Sequence, residues 1–150
     1  MDKATRCEQI MKRHVHTVRE SDTVAQAASV MFEADVGFLP VCDASGVAIG
    51  VLTDRDIVIR VCATRRDPET TLVRDAMTPG LIACRPDQSL AHAEAIMRKH
   101  RILRVIVSDE EGTPRGIISI SDVVQYETPE RIARALYDIS SRKYGTHEGP

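Results

Sequence analysis

Two short stretches carry the residues best placed to do chemistry. Gly50-Val51-Leu52-Thr53-Asp54-Arg55-Asp56-Ile57 sets a hydroxyl and a carboxylate three residues apart, with an arginine between them. Gly116-Ile117-Ile118-Ser119-Ile120-Ser121-Asp122-Val123 repeats the pattern with serines in place of the threonine and the arginine. Each reads as a buried strand running into a helix. Thr53 and Ser119 stand where a helix cap belongs, and such a hydroxyl can also turn toward a ligand. A helix start with free N–H groups and a positive dipole end suits a phosphate. Gly50 leaves room for something to approach the backbone. Asp54 and Asp56 sit beside a cap and read as binding residues, with no acid–base partner in view.

Other chemistries find little support. There is no phosphate-cradling glycine loop, no Ser-His-Asp or Cys-His pattern and hence no catalytic residue to name. The four cysteines (Cys7, Cys42, Cys62 and Cys84) are scattered without a CxxC pair, so neither a disulfide framework nor a zinc site is expected. His14 and His16 alternate but lack further metal ligands nearby. A formal net charge of −2 gives no field to recruit nucleic acid, and the 3% aromatic content gives no base-stacking platform. No apolar run approaches the roughly 20 residues of a membrane span, and Met1 to Arg13 lacks a signal-peptide core. A cytoplasmic protein is expected.

The elements that must position the two stretches are themselves duplicated. Gly50 and Gly116 are 66 residues apart, and Asp56 and Asp122 keep the same offset. So do Met11 and Met77, Met31 and Met97, and Asp43 and Asp109. Each copy reads as a brief strand near Val15–Val18, a capped helix, a hairpin and a closing helix. Thr23 with Gln26 forms a capping box, and Val24, Ala27, Ala28 and Met31 make a stripe at helical spacing. Ser89 caps the second copy, with Leu90, Ala93 and Met97 as its stripe. Pro40 suggests an edge or a bulge in its strand. The closing helices are expected over 54–62 and 120–126. Thr128 then caps a helix outside the repeat, with Ile132, Ala135, Leu136 and Ile139 on one face and an end near Lys143. The fold class is α/β (α+β): two β-α-β-β-α copies packed as a pseudo-symmetric pair. The boundaries are 7–63 for the first copy, 64–72 for a linker, 73–127 for the second copy and 128–150 for the C-terminal helix and tail.

The doubled Gly-h-h-[Thr/Ser]-x-x-Asp, with Phe38-Leu39-Pro40-Val41-Cys42-Asp43 before the turn, resembles a tandem pair of cystathionine-β-synthase (CBS) domains, the Bateman module. The resemblance covers nearly all of 7–126. It implies adenosine ligands in clefts between the copies: AMP above all, with ATP, ADP or NAD also possible, as regulatory ligand and not as catalytic cofactor. It places Asp56 and Asp122 on two riboses, and Thr53 and Ser119 on phosphates. A carboxylate can accept from both hydroxyls of a cis-diol, and charge-assisted bonds are about twice as strong as neutral ones. Arg55, Arg104 and Ser121 are further phosphate candidates, since an arginine fork suits a phosphate. Val15, Val18, Phe38, Ile82 and Ile117 are the expected adenine walls. Ile106 stands where family members often have a proline, which Pro40 keeps. The resemblance also implies a homodimer that signals to a regulated protein. An interaction module that dimerises without a nucleotide remains the alternative.

Overall fold

The computed structural model describes residues 4–141. In chain order the elements are α1 (Cys7–Ile10), β1 (Val18–Arg19), α2 (Val24–Ala34), β2 (Phe38–Cys42), β3 (Ala48–Thr53), α3 (Asp54–Ile57), a π-helical turn (Val58–Cys62), α4 (Val73–Ala76), β4 (Thr78–Pro79), β5 (Ala83–Cys84), α5 (Leu90–His100), β6 (Arg104–Ser108), β7 (Pro114–Ser119), α6 (Ile120–Val123) and α7 (Pro129–Ser140). The mixed α+β class is as expected from the sequence. The first strand begins at Val18, not near Val15, and α6 stops at Val123, short of Tyr126. The expected helix end near Lys143 and the tail from Tyr144 lie outside the described residues.

The chain folds as two compact units, and they do not follow the order of the copies. Of the described residues, 14–82 and 108–115 form one unit, and 4–13, 83–107 and 116–141 form the other. In the unit with the first motif, the sheet order is β1-β2-β3-β4. Strand β4 pairs antiparallel with β3, Val51 opposite Thr78 and Gly50 opposite Pro79. Thr23 bridges Leu72. In the other unit the sheet order is β5-β6-β7, and the equivalent contacts are Lys12 with Ile117 and Arg6 with Ser89. Each leading segment therefore packs on the motif of the opposite copy: residues 72–79 on the first motif, residues 6–12 on the second.

Gly50 and Gly116 exist for this packing. A Cβ on Gly50 would lie 2.5 Å from the Thr78 carbonyl oxygen and 3.2 Å from Pro79 Cα. A Cβ on Gly116 would lie 2.6 Å from Met11 Sδ. What approaches the backbone at Gly50 is thus the protein's own chain. Pro40 is tolerated because β1 reaches only Val41 and Cys42 of β2, and the ladder to β3 is irregular just beyond it, between Val41 and Cys42.

The helices follow their sequence signals. Gln26 N–H donates to Thr23 Oγ1 (3.2 Å) and Thr23 N–H donates to Gln26 Oε1 (2.9 Å), closing the capping box. Val24, Ala27 and Met31 are buried, whereas Ala28 is exposed. In α7, capped by Thr128, Ile132, Ala135 and Ile139 are buried and Leu136 faces solvent. Helix α5 buries Leu90, Ala93 and Met97, and with them Glu94, only 1% exposed. Glu94 Oε2 accepts from Arg131 of α7 at 3.5 Å, and Arg98 pairs with Asp138 of α7 at 2.6 Å. Burial holds the Glu94 carboxyl above the usual carboxylate range, Arg131 and Arg98 pull it back, and Glu127 pushes it further up.

Two predictions follow from this packing. Gly50→Ala forces backbone apart and should cost about 1–3 kcal/mol. Gly116→Ala should cost less, because the Met11 side chain can yield; urea denaturation of both variants checks the order. A raised carboxyl binds its proton more tightly in the folded state, so its stabilising contribution is present at low pH and is lost as pH rises through the folded pKa. The stability of the parent relative to Glu94→Gln should therefore grow between pH 7 and pH ~4.5, the ordinary glutamate value, measured by denaturation at each pH.

Candidate ligand site at the two motifs

Both motifs use the same local device. In the first, Asp56 N–H donates to Thr53 Oγ1 (3.1 Å) and Thr53 N–H donates to Asp56 Oδ2 (3.0 Å). In the second, Ser119 N–H donates to Asp122 Oδ2 (2.8 Å), and the Ser119 hydroxyl donates to the same oxygen (2.7 Å). One carboxylate oxygen of each aspartate is thus committed to holding the strand-to-helix corner. The other faces a cation. Asp56 Oδ1 lies 3.7 Å from Arg60 Nη1, and Asp122 Oδ1 lies 3.5 Å from Lys12 Nζ. The two carboxylate side chains are 14% and 15% exposed, so each is nearly enclosed.

The two cations differ in kind. Arg60 Nη1 also donates to the carbonyls of Ala76 (2.9 Å) and Met77 (2.8 Å), which anchors it to the end of α4. The Lys12 backbone exchanges hydrogen bonds with Ile117 (2.9 and 3.1 Å), and its side chain, paired with Asp122, is 70% exposed. Sequence reasoning missed both. Arg60 was findable, since it stands one helical turn after Asp56. Lys12 was not, because it reaches Asp122 only through the long-range pairing of its segment.

The expectation of free N–H groups at the first motif is corrected. Asp54 N–H donates to the Gly37 carbonyl (3.0 Å), Arg55 N–H to Asp54 Oδ1 (2.8 Å) and Asp56 N–H to Thr53 Oγ1. A phosphate there would meet the Thr53 hydroxyl hydrogen and the exposed Arg55 side chain, not bare amides. In the second motif the Ser119 hydroxyl is also 2.6 Å from Ser121 Oγ, so its hydrogen is already shared within the protein.

Thr53, Arg55, Asp56, Val15, Val18, Phe38 and Ile82 fall in one unit; Ser119, Ser121, Asp122, Arg104 and Ile117 fall in the other. Phe38 lies opposite Thr53 in the β2–β3 ladder. Arg104 opens β6 and is exposed, as is Ile82. Val15 lines a surface cavity of about 490 Å³ with Thr17, Arg19, Asp43 and Thr113, to which the motif residues do not contribute. Val18 is corrected: it is 4% exposed and packs in the core with Val24, Leu39 and Val41, leaving no face for an adenine. Among the described residues no cluster of His, Cys, Asp or Glu is placed to hold a metal ion, and no helix is long and apolar enough to cross a membrane.

The CBS domain family matches residues 7–62 and 73–128. The CBS domain-containing protein YhcV of Bacillus subtilis is 37% identical over 131 residues, which is 87% of this chain and 91% of that one. The crystal structure of the CBS domain protein TA0289 of Thermoplasma acidophilum superposes with a TM-score of 0.80 at 25% identity, covering 92% of this chain and 78% of that one. The CBS domain pair of protein MJ0100, solved with 5′-methylthioadenosine and S-adenosyl-L-methionine, has a TM-score of 0.72 at 22% identity, covering 81% and 94%.

Removing the Arg60 guanidinium frees two carbonyls and loosens the strand that lies against Gly50. Arg60→Met should lower stability by about 1 kcal/mol, a charged hydrogen bond discounted for its partial exposure. Faster amide exchange at Gly80, whose N–H donates to Ile49 O (2.8 Å) just past β4, would locate the loss in that strand.

Proposed function

Because the chain belongs to the CBS-domain family and carries two tandem copies of that domain, we propose that it is a regulatory sensor of adenosine ligands with no catalytic step of its own. AMP is the first ligand expected, and ATP, ADP and NAD are the others. The observation that carries this reading is the shared pose of Asp56 and Asp122. Each spends one oxygen on its corner and turns the other, nearly enclosed, to a neighbouring cation. A ribose diol supplies donors in place of that cation. The two ligands in the MJ0100 complex have an adenosine ribose in common.

The two positions suit different tails. At the first motif the Thr53 hydroxyl hydrogen and Arg55 favour a phosphate. At the second, Ser119 and Ser121 share their hydrogens with each other and with Asp122, so Arg104 and Lys12 supply the positive charge. Val15, Phe38, Ile82 and Ile117 remain the proposed adenine walls. A micromolar ligand releases roughly 8 kcal/mol at standard state, and only the part that differs between two conformations drives a signal. Helix α7, outside the repeat, is the proposed output toward a regulated protein in the cytoplasm.

A second reading has its own observation. Phe32 on α2 is 88% exposed, and Val58 and Ile59 on the π-helical turn are more than half exposed. Such exposed apolar side chains fit a homodimer, with or without a nucleotide. Calorimetry with AMP, ATP, NAD and S-adenosylmethionine separates the readings. Heat of binding is expected with at least one, and Asp56→Asn and Asp122→Asn should each weaken their own site at least about tenfold, the loss of one charge-assisted bond. No heat with any of the four, alongside a dimer in sedimentation, would leave the interaction module standing.

A further inference from the structure

Cys7 of α1 and Cys84 of β5 are far apart in sequence but meet in the core of one unit. Their sulfurs are 3.6 Å apart, and both residues are buried, at 0% and 1% exposure. Both are free thiols. The duplication supplies an internal control. Sixty-six residues on from Cys7 stands Val73, and sixty-six back from Cys84 stands Val18; these two valines are buried in the core of the other unit. Packing alone is therefore satisfied by a valine at each place. In one unit the protein instead sets two sulfurs in contact, across the junction where the leading segment meets the sheet.

We propose that Cys7 and Cys84 are a disulfide-forming pair that hydrogen peroxide oxidises, locking α1 onto β5. The Cys84 thiol donates to Cys7 Sγ, which holds Cys7 below the usual thiol range and Cys84 above it. Cys7 is thus the attacking sulfur. Its thiolate attacks one peroxide oxygen, the O–O bond breaks, and water leaves after protonation, giving a sulfenic acid. The Cys84 sulfur then attacks the Cys7 sulfur, the S–O bond breaks, and a second water leaves. Two thiols lose two hydrogens and one peroxide becomes two waters. The peroxide enters by local opening of α1, a four-residue helix held by backbone bonds such as Cys7 N–H to the Gln88 carbonyl (2.8 Å) and Glu8 N–H to the Pro86 carbonyl (2.9 Å).

The test treats the full chain, carrying Cys62→Ser to remove the exposed thiol, with hydrogen peroxide. A peptide map without reductant should show Cys7 joined to Cys84. The melting temperature should rise by roughly 10 °C, as expected for a cross-link closing so long a loop, and dithiothreitol should reverse both changes. Cys7→Val with Cys84→Val, the pair the other unit already uses, should fold and show neither change. Recovery of both residues as free thiols or as separate sulfinic acids after peroxide, or an equal temperature shift in the double variant, would overturn the proposal. None of these readouts depends on nucleotide binding.

Discussion

The close approach of each leading segment to a glycine-bearing strand is the constraint on which the rest depends. Thr78 O sits 2.5 Å from where a Gly50 side chain would begin, and Met11 fills the same space at Gly116. No other residue type admits a neighbouring chain at that distance without displacement. Once the segments are seated, three things follow. Strand β3 gains β4, Ile117 gains Lys12 as a backbone partner, and each motif receives residues from a distant part of the sequence. The corners that hold Asp56 and Asp122 are thus built twice, once locally by a cap and once by a long-range neighbour.

That double construction explains how one motif yields two unlike positions. The cap fixes one oxygen of each aspartate in the same way. The neighbour sets the charge at the other oxygen, an anchored arginine in one case and an exposed lysine in the other. Arg60 is anchored by the two carbonyls it serves, whereas the mostly exposed Lys12 side chain meets only the Asp122 carboxylate among the described contacts. Duplication has preserved the capped carboxylate while the cations and hydroxyls beside it have diverged.

Much of this was legible in the sequence, and for local reasons. The capping box at Thr23 and Gln26, the Thr128 cap with Pro129, and the buried stripe of Val24, Ala27 and Met31 depend on residues within one or two turns. The repeat offset made the two motifs equivalent before any coordinates. What escaped was non-local. Nothing near Lys12 points to Asp122, and nothing near Cys7 points to Cys84. Nothing near Glu94 in the sequence points to Arg131, which stands on α7. Val18 had the type of a pocket wall but the position of a core residue. The first-turn amides looked free because the acceptors that use them, the Gly37 carbonyl and the side chains of Asp54 and Thr53, are set by the fold of the corner.

The outer oxygens of Asp56 and Asp122 are proposed to receive ribose hydroxyls. This is tested most directly from the ligand side, by titrating the intact protein with AMP and with its 2′,3′-dideoxy analogue under the same conditions. The analogue, which keeps the adenine and the phosphate, is expected to bind at least about tenfold more weakly, since it leaves a charged acceptor without its donors. Equal affinity for the two compounds would contradict it.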